Sequence, residues 1–335
     1  MGALNIFFQI SLFQAALHKL TCRERRTMSY EQFIERMEEK LRGSLDGGRS
    51  LYVRQVTKNN GMKRKGIVFC EPGVNVSPTI YLEEYYERYR QGCPFEQVAD
   101  QILSLYAHVR TRHSWEGEFV TKYVNVRPRL IYQLINREKN RELLRQVPYV
   151  PYLDLAIVFH VLVDMKEDDR IATMLVRNEH LEWWKVTKEE IYEEARANTE
   201  RLLPEEFTTL YALLTEEEGP AAPEEDPDER RGYSMYILTN RIRNFGAAAV
   251  LYKDVLKPIG SYLKEDFYVL PSSIHEVIIV PDSSAPSWRE TAMIVKEINE
   301  TQVREEEVLS DIPYHYKRKE DRLSLPLWAM DRPES

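Results

Sequence analysis

Tyr152-Leu153-Asp154-Leu155-Ala156-Ile157-Val158-Phe159-His160-Val161-Leu162-Val163 is too apolar to run over a protein surface. Its β-branched and aromatic residues favour a strand buried on both faces. A buried helix is the alternative, because a continuous apolar run hides its own period. Residues 129–136 read the same way and also favour a buried strand. On either side the period changes to that of helices. Residues 30–45 put Phe33, Ile34, Met37, Leu41 and Leu45 on one face, and 95–109 do so with Phe95, Val98, Ile102, Leu105 and Val109. Pro94 suits the start of the latter, where its missing N–H has no partner to lose.

Thr187-Lys188-Glu189-Glu190 and Ser287-Trp288-Arg289-Glu290 are capping boxes, in which a hydroxyl and a carboxylate reciprocally satisfy free N–H groups. They start helices through residue 199 and residue 299. A tyrosine-rich helix is expected over 80–90, ending at Gly92, and another near 254–263. Extended stretches are expected at 51–56 and 66–70, joined by Lys58-Asn59-Asn60-Gly61, whose Asn-Gly step suits a tight hairpin turn. Others fall at 171–176, 233–239, 267–270, 274–280, 314–317 and 322–325. Without a regular strand–helix alternation, the fold class expected is α+β, with mixed helices and mainly antiparallel strands in two loosely separated parts.

Residues 216–231 combine dense acidic charge with no hydrophobic periodicity, and cannot bury enough apolar area to offset the entropy of ordering. They are expected to form a disordered loop between an N-terminal part, 28–215, and a C-terminal part, 232–327, with a loose tail at 328–335. Residues 3–17 are the most apolar run, yet the basic residues of a secretory signal follow it where they should precede it. The run also falls short of the roughly 20 residues a spanning helix needs. Residues 1–27 are expected to be an extension outside the fold, with Met28 as a natural start; a packing helix and a membrane anchor are the alternatives.

The 46 basic and 54 acidic side chains give a net charge of −8. Removing the net +3 of residues 1–27 leaves −11 on the main body, which argues against a surface built for nucleic acid or anionic membrane. Cys22, Cys70 and Cys93 form no CxxC pair and no disulfide framework, and a reducing cytoplasm fits them.

Neither phosphate-cradling glycine motif is present, nor HExxH, paired CxxC or an EF-hand loop, so neither cofactor nor metal is expected. Reactive side chains concentrate in Leu270-Pro271-Ser272-Ser273-Ile274-His275-Glu276-Val277. Ser272 or Ser273 with His275 would make a hydrolase if a carboxylate oriented the imidazole. In an extended segment Glu276 points to the opposite face from His275, so the acid must come from elsewhere, with Asp154 one candidate. The bland reading is a turn leading into a strand. Thr239-Asn240-Arg241-Ile242-Arg243-Asn244-Phe245-Gly246 could bind an anion or polar ligand through Asn240, Arg241, Arg243, Asn244 and Gly246, joined by Glu276 as a further ligand-binding candidate. Equally, it could be a plain turn. His160 reads as a core histidine, Trp183-Trp184 as a buried anchor or a partner-binding spot, and Lys63-Arg64-Lys65 as a solvated turn.

Several stretches together resemble domain of unknown function 5688, a family common in intestinal clostridia and their relatives. They are Leu130-Ile131-Tyr132-Gln133-Leu134-Ile135-Asn136, residues 147–159, Leu238-Thr239-Asn240 with Gly246-Ala247-Ala248, residues 270–277, and Ile298-Asn299-Glu300-Thr301-Gln302-Val303. The order of elements is also similar in layout to domain of unknown function 1444, through Asn198-Thr199-Glu200-Arg201-Leu202-Leu203-Pro204. Neither resemblance implies an activity or supplies catalytic residues. The expectation is therefore a cytoplasmic bacterial protein that binds an unknown protein or a small polar or anionic ligand without catalysis. A small-molecule hydrolase is the second reading and a DNA-associated accessory factor the third.

Overall fold

The computed structural model describes residues 28–46, 48–71, 79–112, 118–165, 171–210, 212 and 235–326. The extension 1–27, the acidic segment 216–231, His113 and the tail 328–335 lie outside the described residues. The chain is α+β with three antiparallel sheets. It divides into two compact units, one of residues 28–56 and 64–112, the other of Thr57–Lys63 and residues from 118 onward.

In the first unit, Ser29 and Gln32 form the capping box that starts helix α1 (Tyr30–Gly43). The helix buries Phe33, Met37 and Leu41 completely. Their cluster includes residues from the sheet of β1 (Ser50–Thr57), β2 (Lys63–Cys70) and β3 (Thr79–Tyr81), and from helices α2 (Glu83–Arg90) and α3 (Phe95–Arg112). Phe33 is the hub, with ring centroids of Tyr86, Tyr89 and Phe95 at 5.2, 5.6 and 5.8 Å. The single helix expected over 80–90 is corrected: residues 79–81 pair with β2, Ile80 opposite Ile67, and the helix begins at Glu83. The β-branched Thr79-Ile80 step takes the strand side of that boundary.

The second unit holds a four-stranded sheet of β4 (Leu130–Asn136), β5 (Tyr149–Tyr152), β6 (Leu155–Met165) and β7 (Ile171–Leu175). From Leu155 onward the stretch with two possible readings is thus a strand, and the central one; its first residue, Tyr152, instead ends β5, and Leu153-Asp154 form the turn between the two. β4 runs along one edge of β6, from Leu130 opposite Val161 to Asn136 opposite Leu155. The other edge is shared by β5, ending with Tyr152 opposite Leu155, and β7, ending with Leu175 opposite His160. Helices α4 (Asn178–Trp184) and α5 (Lys188–Leu202) follow.

Next come β8 (Glu205–Thr209), β9 (Tyr236–Asn240), helix α6 (Leu256–Leu263), β10 (Phe267–Leu270), β11 (Val277–Pro281), helix α7 (Trp288–Thr301), β12 (Tyr314–Lys317) and β13 (Arg322–Ser324). Their six strands lie in the order β13-β12-β10-β11-β9-β8. The strands on either side of the acidic segment are direct neighbours, with Glu205 opposite Asn240 and Thr209 opposite Tyr236. Alternate residues of the two sheets share one core: Tyr132, Leu134, Ile157 and Phe159 from the first, Leu238, Phe267, Val269 and Ile279 from the second. The 3-10 turn Gly246–Leu251 places Ala247, Ala248 and Ala249, fully buried, in that core. A Cβ at Gly246 would fall 2.1 Å from Thr239 Oγ1 and 2.4 Å from His275 O, so only glycine fits.

His160 points to the opposite face of β6 from Phe159, with the Phe245 ring 5.1 Å away. Burial, reinforced by the charge of Lys58, pushes its imidazole down to about 3, and Nδ1 has no partner. In the unfolded chain the ring takes its proton near 6.5, so acid favours unfolding progressively from there down to the folded value. The wild-type protein should therefore lose more stability between pH 7 and pH 5 than His160→Gln, by on the order of 2 kcal/mol. Urea denaturation at the two pH values measures this; equal losses would contradict the burial of a neutral imidazole.

Candidate functional site

The sequence 271–276 leaves β10 without forming a strand; β11, expected from 274, begins at Val277. Instead its backbone meets the segment after α7. The Leu309 and Ser310 N–H groups donate to Ser272 O (3.0 Å) and Pro271 O (2.8 Å), and the Ile274 N–H donates to Glu307 O (2.8 Å). Residues 304–310 are held in turn by asparagine side chains. Asn60 Nδ2 donates to Glu305 O (2.8 Å) and Val308 O (2.7 Å), and Asn59 Nδ2 to Glu306 O (2.8 Å). Asn136 Nδ2 donates to Leu309 O (2.9 Å) and Asn299 Nδ2 to Ser310 O (3.0 Å).

Asn140, only 2% exposed, ties these donors together. The two hydrogens of its Nδ2 are shared among Asn59 Oδ1 (2.8 Å), Asn60 Oδ1 (3.0 Å) and Asn136 O (2.8 Å), while its Oδ1 accepts from the Asn60 N–H (2.9 Å). The expected hairpin turn is a 3-10 turn, Asn59–Gly61, in which Asn60 and Gly61 have φ of 58° and 73°. That left-handed backbone suits Asn and Gly.

The catalytic candidates sit at this junction. Ser272 and Ser273 are 7% and 5% exposed. Ser273 Oγ accepts from the backbone N–H of His275 at 3.0 Å. The His275 ring turns to Glu307, Nε2 lying 3.4 Å from Oε1, while its Nδ1 is buried with no partner. Burial pushes Glu307 up, but hydrogen bonds from His275 and Arg304 outweigh it and hold the carboxyl down at about 2. Burial raises Glu276, and Glu307 adds to the effect.

Asp154 occupies the turn between β5 and β6, behind Leu153 at φ 52°. Its carboxylate accepts from Ser310 Oγ and Tyr314 OH, both at 2.6 Å, and these are its side-chain partners among the described residues. Burial raises its pKa, while the two hydroxyl bonds pull it back. Asp154 therefore does not orient His275; Glu307 is the acid beside that ring. Nothing in the sequence motif around 270–277 pointed to Glu307, Ser310 or Tyr314.

In the second candidate, Asn240 is fully buried and closes its own turn: Nδ2 donates to Asn244 O (2.8 Å) and Oδ1 accepts from the Asn244 N–H (3.3 Å). Arg241 and Arg243 are exposed, with Arg243 3.4 Å from Glu206 and at φ 50°. The tryptophan pair divides: Trp184 is buried and donates to Val120 O at 2.7 Å, whereas Trp183 is 54% exposed.

A sequence profile described as a family of unknown function (DUF5688) matches residues 30–318, and the chain belongs to that family. No curated protein and no solved structure gives a match.

Replacing Asn140 by Ala would leave three acceptors and one N–H in the network without their partner. Asn140→Ala should cost about 3 kcal/mol or more in urea denaturation. Asn60→Ala combined with it should cost less than the sum, because both act in one network. A loss for Asn140→Ala below about 0.5 kcal/mol would show that the cluster is not holding the segment.

Proposed function

We propose that this member of the family is a cytoplasmic bacterial protein that binds a protein partner or a small polar ligand and catalyses no reaction. The observation that carries this reading is the enclosure of Ser273: it is 5% exposed, and its Oγ accepts the backbone N–H of residue 275. A nucleophile needs hydrogen-bond contact with its base and access to substrate. His275 has its Nε2 on Glu307 and its Nδ1 enclosed, and Asp154 is held by Ser310 and Tyr314.

Surface features support binding. Trp183 and Val124, the latter 74% exposed, project from elements joined by the Trp184–Val120 hydrogen bond and the Tyr123–Trp184 ring contact. Exposed tryptophan is enriched at the centre of protein interfaces. The guanidinium groups of Arg241 and Arg243 offer a place for a polar or anionic ligand. The acidic balance of the main body weighs against nucleic acid. Cys70 and Cys93 are free thiols, in keeping with a reducing compartment. Among the described residues no helix is long and apolar enough to cross a membrane.

The second reading, a hydrolase, draws on the His275–Glu307 pair, which has the form of a base with its orienting acid. Assays of the full chain with p-nitrophenyl esters and phosphates separate the two. Wild type, Ser273→Ala and His275→Ala should give indistinguishable background rates. A turnover lost about a hundredfold or more in either variant would establish catalysis and overturn the proposal.

A further inference from the structure

Three side chains that no sequence motif connects meet at one end of the six-stranded sheet: Asp266 just before β10, Asp282 just after β11, and His315 in β12. One ligand atom from each lies within 4.8 Å of the others. The strand register explains the meeting. Phe267 pairs with Pro281 and Tyr268 with His315, so Asp266, Asp282 and His315 come to adjoining positions of neighbouring strands. His315 Nε2 lies 3.0 and 3.2 Å from the two oxygens of Asp282.

We propose that Asp266, Asp282 and His315 form a binding site for one divalent first-row transition-metal ion. Imidazole with carboxylates is a donor set for such ions, and three protein ligands leave further positions to water. With bonds of about 2.1 Å, a tetrahedral ion needs donors about 3.4 Å apart. The His315–Asp282 spacing is already close to this, and Asp266 offers an oxygen within 4.8 Å of both.

The charge balance points the same way. Two carboxylates face one imidazole, and neither is paired with a lysine or arginine side chain among the described residues. Lys317 of β12 is turned to Glu320 at 3.3 Å, and the guanidinium of Arg318 donates to Lys264 O at 3.0 Å. Glu265, the next acid, adds to the negative charge and is bonded to Ser283.

The donors are also held in place from behind. The Asp282 N–H donates to Asp266 O (3.1 Å), the Arg318 N–H to Asp266 Oδ1 (2.9 Å), and the Ser283 N–H to Glu265 Oε2 (2.7 Å). Tyr268 and Trp288 flank the imidazole, with ring centroids at 4.8 and 6.2 Å. Such outer contacts fix ligand orientation and are part of what makes a metal site tight.

The test is a titration of the chelator-stripped full chain with Co2+, followed by its visible absorption. One equivalent should saturate the signal, and Asp282→Asn and His315→Gln should each weaken binding by about tenfold or more. Thermal melts of the metal-free variants check that they fold. Should His315→Gln fail there, Asp282→Asn, at an exposed position, carries the comparison. Absence of saturable binding, or wild-type affinity in Asp282→Asn, would overturn the proposal.

Discussion

Between Glu305 and Ser310 five backbone carbonyls are held by asparagine amides, and the sixth, that of Glu307, by the Ile274 N–H, where a strand would have used its neighbours. Buried carbonyls need donors, and an irregular segment cannot supply them from within. Asn59, Asn60, Asn136 and Asn299 deliver them from a hairpin tip, a strand end and a helix, and Asn140 fixes three of these by binding Asn59, Asn60 and the backbone of Asn136. A side-chain network of this kind is stabilising only when complete, because each missing member strands a partner in low dielectric. The segment in turn fixes the 271–276 backbone through Leu309, Ser310 and Glu307.

The same constraint decides the chemistry of the neighbourhood. Glu307 and Ser310 are carried by the clamped segment, and they take up His275 and Asp154 respectively. Asp154 becomes a knot between the β5–β6 turn and β12, with the hydroxyls of Ser310 and Tyr314 compensating for its burial. Titratable groups with displaced pKa values often mark active sites, but structural hydrogen-bond networks displace them as well. Here the displaced carboxyls of Asp154 and Glu307 each have identified structural partners.

Much of the fold was legible in the sequence. The helix of Phe33, Met37 and Leu41, the two capping boxes, and the buried strands around Tyr132 and Phe159 all follow from periodicity or cap chemistry. β8 was not anticipated, because Glu205-Glu206-Phe207-Thr208-Thr209 is a polar edge strand with one large apolar residue. Helix α4 was hidden because the adjacent tryptophans dominated its reading, although one is buried and the other exposed. The candidate site was legible only in part. Ser273, His275 and Asp154 stood out by residue type, whereas their partners lie in a segment whose Glu-Glu-Glu run at 305–307 reads as solvated charge. Asn59 and Asn60 looked like turn residues and Asn140 carried no signal, since their long-range role depends on contacts across about 80 to 250 positions of sequence, which no local pattern encodes.

Native-state amide hydrogen exchange tests the clamp most directly. The N–H groups of Ile274, Leu309 and Ser310 lie outside the named strands, yet each is donated to a carbonyl inside the asparagine-held junction. The account predicts that they exchange as slowly as the central amides of β4, through global unfolding. Exchange at the rate of exposed loops, with β4 still protected, would contradict it.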